Sequence, residues 1–295
     1  METRIMDKAH GTRPVVFGEV LFDQFPDGHV VLGGAPFNVA WHLQAFSKAP
    51  LVISRVGNDP LGHRIRQAME HWRMDTSGLQ LDSQHPTGTV DVSFNGGEPS
   101  YDIVKDRAWD FINDQQLPPL EDMALLYHGS LALRSPQSRR AFEVMQRHDE
   151  VPVFIDINLR EPWWMRDDVL SLLQRARWAK MNEDELALLL PDHNDTGQRA
   201  QSLLADYALE WMVVTLGGQG AKVFTAKGEI LSITPDHATE IVDTVGAGDS
   251  FSAAVVIGLL RGDTLEAICE QANRLASYVC TQAGAMPLVP DELKA

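Results

Sequence analysis

The residues best equipped for chemistry lie in one stretch, Asp243-Thr244-Val245-Gly246-Ala247-Gly248-Asp249-Ser250-Phe251. A turn of small residues ends in a carboxylate and runs directly into an apolar segment. There Phe251, Ala254, Val255, Gly258 and Leu259 recur at the spacing of a helix buried on one side. The start of a helix leaves backbone N–H groups without intrahelical acceptors and carries partial positive charge, so it can hold an anion. Two readings of Asp249 follow. As an N-cap it ties off the helix. As a base it takes a proton from an acceptor while a phosphoryl group rests on the amides. A second stretch, Gly33-Gly34-Ala35-Pro36-Phe37-Asn38-Val39-Ala40, sets two glycines ahead of an asparagine one turn inside a helix. Asn38 is either a structural polar group or part of a site that a ligand approaches closely.

Strands and helices alternate along most of the chain. Val15–Glu19, 51–56, 125–129, 153–158, 178–182 and 211–217 read as buried strands, and 222–224 with 229–233 as an antiparallel pair. Helices are expected from 35 to about 49, over 62–72, from 136, and over 167–176, 183–190 and 198–207. Two more begin at Gly248 and Thr264. Continuous apolar strands separated by helices predict an α/β fold with a mainly parallel sheet covered on both faces. In such sheets ligands bind beyond the carboxyl ends of the strands. Asp156, Asn158 and Arg160 fall there, as do Asn182, Glu185 and the turn Thr215–Gly220. Asp27-Gly28 predicts a small hairpin, and Thr87–Phe94 with Ser100–Val104 a second one, an insertion suited to a lid. Residues 13–290 form the expected domain, with lid strands at about 22–32 and 87–106. Residues 1–12 and 291–295 are expected to be flexible ends.

The chain has 295 residues, 44% hydrophobic and 22% charged, with a formal net charge of -16. That charge argues against nonspecific binding to nucleic acid or anionic membranes. The two cysteines, Cys269 and Cys280, sit on one expected helix about 16 Å apart, too far for a disulfide. No signal core, membrane-length apolar run or metal-binding spacing of Cys and His occurs, so a cytoplasmic location is expected. No G-x-x-x-x-G-K-[ST] loop is present. Gly246-x-Gly248 lacks the third glycine of a dinucleotide fingerprint, its place taken by Phe251.

Together, Asp243–Phe251 and Gly33–Ala40 resemble the C- and N-terminal signatures of the ribokinase/PfkB family of sugar kinases, in the family's order, over roughly Val15 to Pro290. The resemblance implies a three-layer ribokinase-like sandwich with a β-sheet lid and ATP-dependent phosphorylation of a small sugar. It assigns Asp249 as general base, with Gly246, Ala247, Gly248 and the Asp249 amide as the anion hole. Glu185 of Asn182-Glu183-Asp184-Glu185 would organise the water shell of Mg²⁺. Asn182, Thr215, Gly217, Gly220 and Asn273 would line the nucleotide. Asp23, Gly33, Gly34, Asn38 and the lid residue Arg107 would hold the sugar, with Lys105 and Asp110 facing it. Asp243 would lie near a monovalent-cation site such as one for K⁺. Partners would be sugar and ATP, with homodimers formed through the lid.

Asp156-Ile157-Asn158-Leu159-Arg160 resembles the D-x-N-x-R segment of fructokinases and 2-keto-3-deoxygluconate kinases more than that of ribokinases. Asn158 and Arg160 would therefore bind the sugar, and Gly18-Glu19…Asp23 resembles fructokinases. Fructose is the expected acceptor, ahead of a ketodeoxy sugar acid, ribose or a nucleoside. A noncatalytic sugar- or nucleotide-binding regulator is the remote alternative. Glu161-Pro162-Trp163-Trp164 departs from the resemblance.

Overall fold

The computed structural model describes residues 11–95, 98–235 and 241–294. Its elements run β1 (Arg13–Phe17), β2 (Leu21–Gln24), β3 (Val30–Gly33), α1 (Ala35–Ala45), β4 (Leu51–Gly57), α2 (Pro60–His71), β5 (Leu79–Asp82), β6 (Gly88–Asn95) and β7 (Glu98–Ile103). The second half comprises β8 (Met123–Gly129), α3 (Pro136–Met145), β9 (Val153–Asp156), α4 (Arg166–Leu173), β10 (Trp178–Asn182), α5 (Glu183–Leu189), α6 (Thr196–Asp206) and β11 (Trp211–Thr215). It ends with β12 (Ala221–Thr225), β13 (Ile230–Ile233), α7 (Ala247–Arg261) and α8 (Leu265–Cys280).

Nine strands form one sheet in the order β13-β12-β11-β10-β9-β8-β1-β4-β5. All pairings from β5 to β11 are parallel, and β12 and β13 extend the edge antiparallel. Strand residues alternate between two apolar layers. Val15, Phe17 and Leu126 pack with Phe142, Leu173, Leu189 and Leu203 of α3–α6. Val16, Leu125 and Tyr127 face Phe37, Ile65, Val255 and Ile268 of α1, α2, α7 and α8. Burial of both sheet faces is why the strands read as unbroken apolar runs.

The order of strands reverses beside β1. The chain first moves from β1 to β4 on one side and later places β8 on the other. A cleft therefore opens beyond the carboxyl ends of β1 and β8. At the same place β1 leaves the main sheet through Gly18-Glu19-Val20 and becomes β2 of a second sheet, ordered β3-β2-β6-β7. That sheet returns to the main body through Gly34 into α1.

Several local expectations need correction. Helix α1 ends at Ala45 rather than near Ala49, because Ser47 and Ala49 take left-handed φ values of 57° and 45°. Strand β5 was not expected. Its Gln80 looks like a surface residue but is buried, exchanging hydrogen bonds with the Asn113 backbone at 2.8 and 2.7 Å. Helix α7 is buried from Ser250 to Leu259 on every side rather than on one stripe. Residues 291–293 form a short turn, and Arg261 donates to the Lys294 carbonyl at 3.2 Å, where a loose end was expected. The expected flexibility of residues 1–10 and 295, and the turn at Gly96-Gly97, lie outside the described residues. No helix among the described residues is long and apolar enough to cross a membrane.

Candidate active site

The site is built around the first turn of α7. Gly246, not Asp249, is the capping residue, with φ 79° and no side-chain cap. The first intrahelical bond runs from Ser250 N–H to Gly246 O at 2.8 Å, and the Ala247 amide donates to the Thr244 carbonyl at 3.3 Å, which leaves the Gly248 and Asp249 amides at the open end of the helix. A side chain at Gly246 would put its Cβ 2.4 Å from Ala285 Cβ, so a larger residue cannot keep this turn. At Gly248 a Cβ would meet only Lys180 Nζ, at 3.6 Å. The first glycine answers to packing, whereas a side chain at the second would make only an ordinary contact with Lys180.

Freed from capping, the Asp249 carboxylate accepts a 2.8 Å hydrogen bond from Asn38 Nδ2, across 211 residues of chain. Asn38 is 5% exposed and its Oδ1 is buried without a partner. Asp249 is half-buried at the mouth of the cleft. Desolvation pushes its pKa up to about 6. The Asn38 bond opposes that shift, Asp156 adds to it, and Lys180 and Arg160 pull against it. Such a carboxylate is ionised at neutral pH and close enough in affinity to exchange a proton.

Behind this turn lies a buried charged group that sequence reading missed. Lys180 Nζ donates to both oxygens of Asp156 at 2.8 Å, and each residue is 6% exposed. Asp156 also accepts from Ser252 Oγ at 2.6 Å and from Tyr127 Oη at 3.2 Å. The pair is in register on adjacent strands β9 and β10. A lysine inside Trp178-Ala179-Lys180-Met181, opposite an aspartate in Val153–Asp156, was the available signal. Asp156 thus braces the underside of α7 and does not line the cleft with Asn158 and Arg160.

On the crossover from β1 to β2, Glu19 is 4% exposed and its Oε2 has no partner. Asp23 on β2 sits beside Gly33, where a Cβ would be 3.3 Å from Asp23 Oδ2. Burial raises the Asp23 carboxyl to about 6. Gly34 has φ 108°, and a Cβ there would lie 2.6 Å from Glu19 O. Gly34 therefore lets the β3–α1 turn rest directly on the crossover, and Gly33 leaves room for the Asp23 carboxylate. The structure brings Asp23, Gly33, Gly34, Asn38 and Asp249 to one end of the cleft.

The Asn158 carbonyl accepts from Ser130 Oγ at 3.2 Å at the ends of β8 and β9. Arg160 is exposed and donates to its neighbouring Leu159 carbonyl at 3.0 Å. Arg107 is half-buried, with Nε buried and unpartnered. Asp110, expected to face the sugar, is instead held by Arg134 at 2.8 and 2.9 Å and by the Arg107 amide at 3.1 Å. Arg134 lies between the Trp109 and Trp163 rings, 4.2 and 4.3 Å from their centroids. The unusual Glu161–Trp164 segment thus has a packing role, with Trp164 Nε1 donating to Glu161 at 3.0 Å and a cis Glu161–Pro162 bond. Lys105, Arg134, Trp163 and Trp164 line a cavity of about 500 Å³.

The expected nucleotide side is more tightly tied than its sequence suggested. Asn182 and Glu185 form a reciprocal capping box at the start of α5, with 2.8 and 2.9 Å bonds, and Glu185 also accepts from Leu159 N–H at 2.9 Å. The N-x-x-E spacing therefore has a helix-starting function of its own. Burial raises the Glu185 pKa, against those amides. Thr215 ends β11 beside Asn182. Gly217–Gln219 makes the β11–β12 hairpin turn, with open space at Gly217 and a φ of 90° at Gly220. Asn273 donates to the Thr234 carbonyl at 3.1 Å. Asp243 accepts from the amides of Val245 and Gly284 at 3.0 and 3.1 Å, fastening the turn before α7. Among the described residues no three His, Cys, Asp or Glu side chains gather as a metal cage.

A family model described as pfkB family carbohydrate kinase matches residues 14–292. The fructokinase of Escherichia coli is 31% identical over 295 residues, covering 93% of this chain and 95% of the relative. A fructokinase double mutant from Vibrio cholerae O395, solved in a fructose-, ADP- and potassium-bound form, superposes with a TM-score of 0.84 at 26% identity, covering 98% of each chain. The aminoimidazole riboside kinase of Salmonella enterica, solved with aminoimidazole riboside and an ATP analogue, gives a TM-score of 0.82 at 25% identity over 95% of this chain and 98% of that one.

Proposed function

The chain belongs to the pfkB family of carbohydrate kinases, and from that premise we propose that it transfers the γ-phosphoryl group of ATP to a hydroxyl of fructose with Asp249 as general base. One observation carries the assignment of the base. Asp249 stands at the open end of α7, released from capping by Gly246 and oriented by Asn38 of the neighbouring helix α1. The transferring phosphoryl group rests on the amides of Gly246, Ala247, Gly248 and Asp249. The acceptor hydroxyl lies against the Asp249 carboxylate. Its oxygen forms the new P–O bond as the bond to the β-phosphate oxygen breaks, its proton passes to Asp249, and ADP leaves. Positioning and charge neutralisation supply most of the rate enhancement in such a transfer. Lys180 offsets local negative charge from behind the turn.

The residues fit a metal held mainly by phosphates and water, since Glu185 offers one buried carboxylate whose oxygens already accept backbone N–H. Mg²⁺ bound with the nucleotide would neutralise phosphate charge, and Glu185 would orient its water shell. Asn182, Thr215, Gly217, Gly220 and Asn273 line the nucleotide in this reading. A monovalent cation such as K⁺ beside Asp243 would steady the turn leading to the amides. Asp23, Gly33, Gly34, Asn38, Arg107, Asn158 and Arg160 hold the sugar, and the β3-β2-β6-β7 sheet closes over it and pairs copies of the chain. A cytoplasmic location goes with this reading.

Fructose is favoured by the named activity of the Escherichia coli and Vibrio cholerae relatives. A riboside acceptor is the second reading, favoured by the Salmonella enterica likeness. A coupled assay of ADP release over fructose, ribose, 2-keto-3-deoxygluconate and adenosine tests the acceptor, with fructose expected to turn over fastest. Asp249→Asn should retain ATP binding while kcat drops about 10²–10⁴-fold. Near-normal turnover in that variant removes Asp249 from the role of base.

A further inference from the structure

Glu19 is a buried acid that the transfer step described above does not use. It occupies the point where the chain passes from the main sheet into the small one, with 4% of its surface exposed. Its Oε2 meets no donor. Its backbone carbonyl lies directly under Gly34, on the same turn that carries Asn38 to Asp249. The charged groups close enough to act on it come from three other elements: Asp249 on α7, Arg160 beyond β9, and Arg134 in the turn after β8. The Tyr127 hydroxyl on β8 also feels its charge. Arg134 is already committed to Asp110, and Arg160 donates to the Leu159 carbonyl.

A buried carboxyl oxygen without a donor is costly, because water has been removed and nothing replaces it. Retaining one is understandable where a ligand supplies the missing group. A sugar brings several hydroxyl donors, and Glu19 sits on the crossover directly beneath Gly34, within electrostatic reach of Asp249 and Arg160. We propose that Glu19 contacts the acceptor sugar directly, its free carboxylate oxygen receiving a sugar hydroxyl, so that Glu19 and Asp249 grip the substrate from the two sides of the β3–α1 turn. The proposal rests on the sugar-kinase reading of this cleft and does not depend on which sugar is phosphorylated.

The empty-site chemistry gives this contact a signature. Burial is the main cause that raises the Glu19 pKa to about 7. Its own backbone amide opposes that shift, Asp249 adds to it, and Arg160 and Arg134 oppose it. At neutral pH the free acid is therefore partly protonated. A hydroxyl donating to the carboxylate favours the ionised form. Sugar binding must then release a proton near pH 7, and affinity must rise as pH increases from 6 to 8.

Asp249 also titrates near the sugar in this reading, so the measurement uses Asp249→Asn protein, which lacks that ionisation, and omits ATP so that no turnover occurs. Isothermal titration with fructose, or with whichever sugar of the panel the wild-type enzyme phosphorylates fastest, is run in buffers of different ionisation enthalpy. The expected result is release of a substantial fraction of one proton per sugar at pH 7, with Kd falling severalfold from pH 6 to pH 8. Adding Glu19→Gln should abolish both effects while ATP affinity stays unchanged. A purely structural Glu19 would lower Tm in the double variant and leave the proton count as it was. An unchanged proton count, or none in either protein, overturns the proposal. Failure to use fructose instead overturns only the choice of sugar.

Discussion

Replacing Asn38 by leucine tests how the base is kept ready. The Asn38 Nδ2–Asp249 Oδ2 bond of 2.8 Å stabilises the ionised carboxylate, whose pKa is already pushed up to about 6 by burial. Leucine has the same branched side-chain skeleton with bulkier methyl ends, cannot donate, and leaves little room for a replacement water. A hydrogen bond to a charged group contributes about 1.5–3 kcal/mol. At 1.36 kcal/mol per tenfold change, its loss should move the acid limb of the activity profile upward by about one to two pH units. At pH 7 the ionised share of Asp249 then falls from roughly nine-tenths to between about one-half and one-tenth. Raising the pH to about 9 should restore it. The assay is kcat/KM for the sugar from pH 5 to pH 9.5, at saturating ATP. Asn38 is also proposed to touch the sugar, so the plateau will drop as well. The informative quantity is where the acid limb lies. A lower plateau with the limb still near 6 would refute the claim that Asn38 sets the ionisation of Asp249.

Three further outcomes follow from the same turn and its surroundings. Gly246→Ala should lower Tm, because its Cβ would collide with Ala285 and its φ is left-handed; Gly248→Ala, with only Lys180 Nζ at 3.6 Å, should keep Tm and yet lose phosphoryl transfer by blocking the amides. Lys180→Met leaves the 6%-exposed Asp156 unpaired and should cost about 3–5 kcal/mol in denaturant unfolding. Adding Asp156→Leu should recover part of that stability and none of the activity. For Glu19, a folded pKa of about 7 against 4.5 means its stabilising contribution is full below pH 4.5 and is lost as pH rises through 7. Wild-type protein should therefore lose about 1 kcal/mol more than Glu19→Gln between pH 6 and pH 8, and equal losses would contradict the burial argument.

What could be read from the sequence depended on how far apart the interacting residues were. The α7 turn and its glycines were legible because their chemistry is local: small residues, an acid, then an apolar run. The parallel sheet was legible because strands buried on both faces have few polar residues. The surroundings of Asp249 were not local, since Gly246 takes the cap and the carboxylate's partner, Asn38, lies 211 residues away. Lys180 was passed over because a lone lysine in a short strand carries no meaning until β9 is placed beside β10 with Asp156 in register. Asp110 was assigned to the cleft by its place in the chain, whereas Arg134 draws it into the interior. Strand β5 was missed because Gln80 is polar, and its burial makes sense only with the Asn113 backbone present.

Helix α1 has a second attachment to α7. His42, one turn beyond Asn38, is fully buried, and burial lowers its pKa to about 4, so the ring is neutral. Its Nε2–H donates at 2.9 Å to the carbonyl of Ala285, the residue packed against Gly246. One rod thus holds Asp249 through Asn38 and the backing of Gly246 through His42. In the proposed reaction these would be the acceptor and phosphate sides, and a ligand that settled the rod from one end would prepare it for the other. Thermodynamic reciprocity then requires that the factor by which sugar tightens nucleotide binding equal the factor by which nucleotide tightens sugar binding.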